Sequence, residues 1–186
     1  MAKDLNKLTT EELGQLFPVI MAEHNPEWGK IFLVEKQIIL KTINSETISR
    51  IEHIGSTAIP MLCAKPTIDI LIEITDIADC ELLVYNLETI GYQFIPKPGN
   101  PPPHVMLAKG YSKKGLTGQT FHIHLRYPGD WDEIVFRDYL IKNPEIAREY
   151  GELKRRLSVE FKNDREKYTD SKSEFITRVV KIARGG

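Results

Sequence analysis

The stretch RIEHIGSTAIPMLCAKPTIDILIEI, Arg50–Ile74, decides the fold. It holds an apolar run, a Gly-Ser-Thr turn and the Ile-rich run 66–74, a pattern typical of two strands joined by a short turn or helix over 57–63. Side chains on a strand alternate between the two faces of its sheet. The isoleucines at the even positions 68–74 therefore share a core face, and Asp69 points from the opposite face.

The same alternation divides the run 120–127. Its core face is predicted to carry four large residues: Phe121, Ile123, Leu125 and Tyr127. His122 and His124 share the other face with Arg126. Because residues two apart on a strand are about 7 Å apart, both imidazoles can reach one metal ion or one anionic group. His53, at the end of the preceding strand, is a third candidate nitrogen ligand.

Composition and charge limit the class of protein. The 186 residues are 41% hydrophobic and 27% charged, as in an ordinary globular domain, and the net charge of −1 gives no global field for long nucleic acid. Cys63 and Cys80 have no metal or redox spacing. The polar N-terminus and the lack of an apolar run of about 20 residues predict a cytoplasmic protein that does not enter membranes.

Strand and helix patterns alternate early in the chain, and helices cluster late. Strands are predicted at 18–23, 47–54, 66–74, 92–95, 104–109 and 120–127. Helices are predicted from the capping box at Thr9 to Phe17 and over 25–43, 76–90, 131–142, 143–161 and 169–184. The proline-rich segment 96–103 is predicted to be a loop. This order predicts an α+β fold with a mixed sheet.

The Gly-Ser-Thr turn suggests a phosphate site. A strand that ends in this sequence before a short helix presents backbone N–H groups and two hydroxyls, so Gly55, Ser56 and Thr57 are candidate phosphate ligands. Asp69, on the neighbouring strand, would hold a divalent cation against the same phosphate. Each pattern alone is more common in a structural role. Their convergence on one sheet face is what favours a binding site.

Several segments together resemble the GrpB family, a set of small bacterial proteins placed in the nucleotidyltransferase superfamily. They are IEHIGSTAIPMLCAKPTIDILIEI, FHIHLRY, FRDYLIKNPEIAREYGELKRRL and YTDSKSEFITRVV. The resemblance runs from NPEWGKIF to the C-terminus and implies a nucleotidyltransferase-like mixed sheet packed with helices. One domain, 1–186, would comprise an α/β core over 1–129 and C-terminal helices over 130–186. In some actinobacteria a similar domain is fused to dephospho-CoA kinase.

The superfamily pattern is a Gly-Ser turn, an Asp-x-Asp strand, a third carboxylate on a later strand and two Mg²⁺ ions that bind a nucleoside triphosphate. The resemblance implies that Gly55 and Ser56 form the phosphate turn and that Asp69 is the first acid. Leu71 occupies the second Asp-x-Asp position, Glu73 lies one step further along, and histidines replace the third acid. Such a site suits one metal better than two, and Mn²⁺ or Zn²⁺ as readily as Mg²⁺.

The residues and the resemblance together predict a nucleotidyltransferase-fold protein that binds a nucleotide or another phosphorylated small molecule with a divalent metal. If it is an enzyme, the resemblance implies metal-assisted nucleotidyl or phosphoryl transfer. The predicted catalytic residues are Asp69, Glu73 and His124, and the predicted metal ligands are Asp69, His53, His122 and His124. The remaining predicted ligand contacts, besides the glycine turn, are Lys65, Arg126, Lys154, Tyr168 and Lys172; Arg137 and Arg155 are further candidate cations. Two alternatives stay open: an inactive ligand-binding module and a His-based metal-dependent hydrolase.

Overall fold

One mixed sheet of five strands organises the computed structural model, which describes residues 9–96 and 103–186. The strands lie in the order β1-β2-β5-β4-β3. Their bounds are β1 (Ile48–Ile54), β2 (Thr67–Ile74), β3 (Gln93–Ile95), β4 (Val105–Ser112) and β5 (Gly115–Arg126). Strands β2 and β5 are parallel, and the other neighbouring pairs are antiparallel. The predicted α+β class is therefore confirmed. Apart from its two end residues, the predicted loop over 96–103 lies outside the described residues.

Helices flank this sheet, and none of those described is long and apolar enough to cross a bilayer. Their bounds are α1 (Thr10–Leu16), α2 (Trp28–Thr42), α3 (Cys80–Thr89), α4 (Asp132–Lys142), α5 (Pro144–Glu160), α6 (Arg165–Asp170) and α7 (Ser173–Ala183). The capping box at Thr9 is present. The prediction of a single helix over 169–184 is wrong, because two residues interrupt it. Ser171 and Lys172 have ψ values of −10° and −15°, far from the helical value of about −42°, and they separate α6 from α7.

Two strand predictions also differ from the structure. Residues 18–23 form only an isolated bridge between Ala22 and Ala64, because the Val19 amide bonds to the Lys162 carbonyl instead. The hairpin is longer than predicted, since β4 and β5 continue to a two-residue turn at 113–114. Tyr127, predicted to lie in the core, follows the end of β5 and is 45% exposed.

The core face of the sheet is as the alternation predicts. All four isoleucines of β2 are fully buried, together with Phe121, Ile123 and Leu125 of β5, against α2 and α3. A second cluster joins α4, α5 and α7 to Ile59 and Leu62 in the loop before β2. The odd-numbered residues of β2 point to the face opposite the first cluster.

Glu73 on this second face is part of a structural network. Its carboxylate accepts two hydrogen bonds from Arg50, at 2.6 and 3.0 Å, and further bonds from Trp131 Nε1 at 2.9 Å and the Gly129 amide at 3.2 Å. The side chain is buried, and these partners tie β1 and β2 to the segment before α4. Glu73, predicted to be catalytic, therefore has both oxygens engaged in holding the fold.

Replacing Glu73 with alanine is expected to lower the free energy of unfolding by about 2–4 kcal/mol, because the change leaves the Arg50, Trp131 and Gly129 donors without their acceptor. Urea denaturation measures this difference. The matched control is Glu88→Ala at an exposed position of α3, for which a change within about 0.5 kcal/mol is expected. Equal stability of the two variants would contradict the structural role.

Candidate metal and anion site

Asp69 is the centre of a group of three potential metal ligands. In the parallel pair β2–β5, Asp69 lies opposite His122, and His124 follows two residues later on the same face. Asp69 Oδ1 is 3.0 Å from His122 Nδ1 and 3.9 Å from His124 Nε2. One ligand atom from each residue lies within 4.8 Å of the others. The structure thus brings together three of the four predicted metal ligands.

The protonation of this group suits metal binding. Burial opposes ionisation of Asp69, but hydrogen bonds and charges from the two histidines outweigh it and hold the pKa of Asp69 well below its usual range. Burial also lowers the pKa of His122, although the adjacent Asp69 opposes the shift. The group therefore offers a carboxylate and a neutral imidazole near pH 7, the forms that bind metals.

The glycine–serine turn lies directly against Asp69. Ile54, the last residue of β1, is the cross-strand partner of Asp69, and Gly55 follows it with a φ of +72°. A Cβ on Gly55 would collide with the Asp69 carboxylate, so both the backbone conformation and the close approach require glycine. Ser56, at the start of the 3-10 turn, interacts through its hydroxyl with the phenol of Tyr150 on α5.

Positive charge surrounds Tyr168 of α6. Lys65 Nζ is 5.2 Å and Lys172 Nζ is 4.4 Å from the centre of the buried Tyr168 ring, within the range of cation–π contacts. Burial, with a smaller contribution from the nearby Arg165 guanidinium, lowers the pKa of Lys65 to about 7 and that of Lys172 to about 8. Asp69 acts on both amines in the opposite direction, so this cluster lies beside the metal-ligand group.

Lys154 of α5 is the most deeply buried of the predicted cations. It is 2% exposed, donates a hydrogen bond to the Cys63 carbonyl and lies 4.7 Å from the Tyr150 ring centre. Burial lowers its pKa to about 7. The charges of Lys65 and Lys172 also lower the pKa of this amine, so Lys154 belongs to the same cluster.

The cluster lacks acidic partners. Among the described residues, no carboxylate lies within ion-pair distance of Lys65, Lys154, Lys172 or Arg165, and Asp69 is the acid whose charge reaches Lys65 and Lys172. Buried cations without counter-charges are costly, and a bound anion would offset that cost. The structure therefore places the metal-ligand group beside a cation cluster, formed by Lys65, Lys154, Lys172 and Arg165, whose charge would suit a bound anion.

Two further predicted residues, His53 and Thr57, have other roles. His53 pairs with Ile70 across the strands, so it lies on the core face; its ring stacks on Phe32 at 4.8 Å, and burial lowers its pKa to about 4. Thr57 is buried and donates to the Thr67 carbonyl at 3.0 Å. Neither side chain belongs to the metal-ligand group, because His53 packs on the core side of the sheet and Thr57 bonds to the backbone beside the turn.

The other predicted cations pair with local acids or aromatic rings. Arg126 lies over the Trp131 ring, at 5.5 Å, and 3.8 Å from Glu133. Arg137 pairs with Glu52 and Asp138, and Arg155 pairs with Glu23. These three arginines therefore have their own partners and do not belong to the cation cluster around Tyr168.

Sequence reasoning missed Tyr111 and Arg165. Tyr111 Oη is 2.8 Å from His122 Nε2, and Arg165 Nη2 lies 3.4 Å from the same hydroxyl. A signal for Arg165 was available, since residues 165, 168 and 172 follow the three-and-four spacing of one helix face. Tyr111 had no such signal, because the bulge at 109–111 changes its register against β5.

The three donors match one transition-metal ion better than a pair of Mg²⁺ ions. One carboxylate oxygen and two imidazole nitrogens are ligands that Zn²⁺ and Mn²⁺ accept, whereas Mg²⁺ prefers oxygen. A second metal would need further carboxylates, but Leu71 supplies none and Glu73 is engaged with Arg50. The residues present thus fit one ion.

Comparison with known proteins places the chain in a family. Residues 18–181 match the family model described as GrpB protein. The chain is 36% identical over 166 residues to the glutamate-rich protein GrpB of Alkalihalophilus pseudofirmus, covering 87% of this chain and 94% of that one. It also resembles the crystal structure of the conserved protein GrpB from Enterococcus faecalis, with a TM-score of 0.76 and 34% identity over 88% of this chain and 96% of that chain.

A further relative carries an enzyme name. The chain is 26% identical over 174 residues to a dephospho-CoA kinase of Mycolicibacterium paratuberculosis, covering 81% of this chain but 42% of that protein. The match to the family model spans most of the chain and agrees with the similar GrpB sequence and structure. On these findings the chain belongs to the GrpB family.

Proposed function

We propose that this chain binds one divalent transition-metal ion together with a phosphorylated small molecule, with nucleotides as the first class to test. The observation that carries the proposal is the position of Asp69, His122 and His124 beside a cluster of cations without acidic partners. A metal ion held by these three residues would supply Lewis acidity toward a phosphoryl oxygen. Lys65 and Lys172 would bind and neutralise the phosphate oxygens.

Metal-assisted nucleotidyl or phosphoryl transfer is the reaction class that the family resemblance favours. The relative named dephospho-CoA kinase supports a link to nucleotides, although the matched part is less than half of that protein. The single acid at the site favours a one-metal arrangement over the two-metal one. Binding without turnover and metal-dependent hydrolysis remain the two alternatives, and product analysis separates all three.

The metal site is tested with Asp69→Asn, which keeps the shape of the side chain and removes its charge. Zn²⁺ or Mn²⁺ is expected to bind this variant more than about 100-fold more weakly than the wild type, because losing a ligand costs more than the roughly 10–100-fold effect of an outer-shell partner. Isothermal titration calorimetry measures the affinities. The control is Asp76→Asn at an exposed position after β2. Equal affinity in Asp69→Asn and wild type would remove Asp69 from the site.

The ligand class is tested by thermal unfolding with nucleoside mono-, di- and triphosphates, each with and without Mn²⁺. A ligand at a hundredfold its dissociation constant is expected to add about 2.7 kcal/mol to the stability. Phosphorus NMR of the same mixtures then separates the reactions: pyrophosphate with the monophosphate indicates attack at the α-phosphorus, the site of nucleotidyl transfer, with water as the acceptor. Orthophosphate indicates hydrolysis of the terminal phosphate, and an unchanged nucleotide indicates binding alone. No stabilisation by any phosphorylated compound would contradict the proposal.

The proposed anion pocket, formed by the cation cluster, is tested by measuring sulfate affinity over a range of pH. Sulfate stays dianionic across the neutral range, so only the protein changes its charge. An anion favours the charged amines, so binding takes up protons wherever Lys65 and Lys172, with pKa values of about 7 and 8, are partly neutral. Sulfate affinity is therefore expected to be fully developed near pH 6 and to fall as the pH rises from 7 to 9. Calorimetry at a series of pH values measures this.

A pair of lysine variants controls the sulfate experiment. Lys172→Gln removes a cation that contacts Tyr168, and weaker sulfate binding is expected. Lys181→Gln removes a cation from an exposed position of α7, and no change is expected. Sulfate affinity that is independent of pH, or equal in the two variants, would show that the cluster does not form the anion pocket.

A further inference from the structure

A chain of hydrogen bonds connects the anion pocket to the metal-ligand group. Arg165 Nη2 donates to the Tyr111 hydroxyl at 3.4 Å, and this hydroxyl lies 2.8 Å from His122 Nε2. The other imidazole nitrogen, His122 Nδ1, lies 3.0 Å from Asp69 Oδ1. The Tyr111 and His122 rings are stacked, with centroids 5.7 Å apart and planes 15° apart. Both ring nitrogens of His122 therefore have a partner.

The chemistry of the partners fixes the direction of these bonds. An ionised carboxylate accepts hydrogen bonds but donates none, so the proton of the neutral His122 lies on Nδ1 and points to Asp69. Nε2 is then an acceptor, and the Tyr111 hydroxyl must donate to it. In the free protein the bonds thus run from Arg165 through Tyr111 and His122 to Asp69.

Metal binding requires the opposite tautomer. His122 Nδ1 is the nitrogen that faces Asp69, so it is the atom able to join Asp69 in holding an ion. A ligating nitrogen carries no proton. The neutral imidazole must then carry its proton on Nε2, next to Tyr111, after exchange with water. The ring gains no net proton and loses none, but the partner of Nε2 has to change from donor to acceptor.

We propose that Tyr111 is the positioning residue that makes this exchange possible, donating to His122 Nε2 in the free protein and accepting from it when Nδ1 binds the metal. A hydroxyl can serve as either partner, and its own proton can turn to the Thr67 side chain, with which Tyr111 also interacts. Arg165 supports the accepting state by placing a donor on the same oxygen. This inference rests on the metal site of the proposed function.

The role belongs to the hydroxyl group and not to the aromatic ring. The ring also packs edge-on against Phe17, with centroids 5.3 Å apart, and a phenylalanine would keep this contact and the stacking on His122. Tyr111→Phe therefore removes the hydrogen bonds while retaining the shape. Tyr92→Phe is the matched control, since its buried hydroxyl also bonds a charged group, Glu35, but on the core side of the sheet.

The test is Zn²⁺ titration of wild type, Tyr111→Phe and Tyr92→Phe by calorimetry, with imidazole nitrogen NMR of the wild type. Outer-shell partners of metal-bound histidines contribute roughly 10–100-fold to affinity, and a loss of that size is expected for Tyr111→Phe alone. The NMR spectrum is expected to show His122 protonated on Nδ1 in the free protein and on Nε2 in the zinc-loaded protein.

The outcomes separate this inference from the proposed function. Zinc binding that is equal or tighter in Tyr111→Phe would overturn the role of Tyr111 and leave the metal site intact. A zinc-loaded wild type in which His122 keeps its proton on Nδ1 would also overturn it, without use of any variant. A wild type that binds neither Zn²⁺ nor Mn²⁺ would overturn both proposals.

Discussion

The parallel pairing of β2 with β5 is the constraint on which the rest of the structure depends. Both strands bury their alternate residues in one core, so a slip of one residue would move every core side chain to the wrong face. The register that satisfies the core places Asp69 opposite His122 and Leu71 opposite His124. The geometry of the metal-ligand group is therefore a consequence of hydrophobic burial on the other side of the sheet.

Much of the fold and the centre of the site follow from such local patterns. Strand alternation was sufficient to place Asp69, His122 and His124 on one face. It could not place His53, because the face of β1 depends on its antiparallel register against β2, which sets His53 beside Ile70. Strand alternation also could not show that the Glu73 carboxylate accepts a hydrogen bond from Trp131, because Trp131 lies 58 residues further along the chain.

The same limit explains why only part of the cation cluster was predicted. Lys65, Lys154 and Lys172 come from three separate parts of the chain, and tertiary contacts bring them together: Lys154 bonds to the Cys63 carbonyl, and the other two lysines contact the Tyr168 ring. The break between α6 and α7 at Ser171 and Lys172 could not be predicted, because no proline or glycine marks it in the sequence. The sequence contains these charges, but tertiary packing alone determines which of them share a pocket.

Charge then links the two halves of the site. A divalent ion held by one carboxylate would leave a net positive group beside Lys65, Lys172 and Arg165, where low dielectric makes repulsion strong. An anion bound between the ion and these side chains would offset both charges at once. If both ligands bind as proposed, metal and anion should therefore favour each other's binding, and each would offset the charge that the other leaves unbalanced.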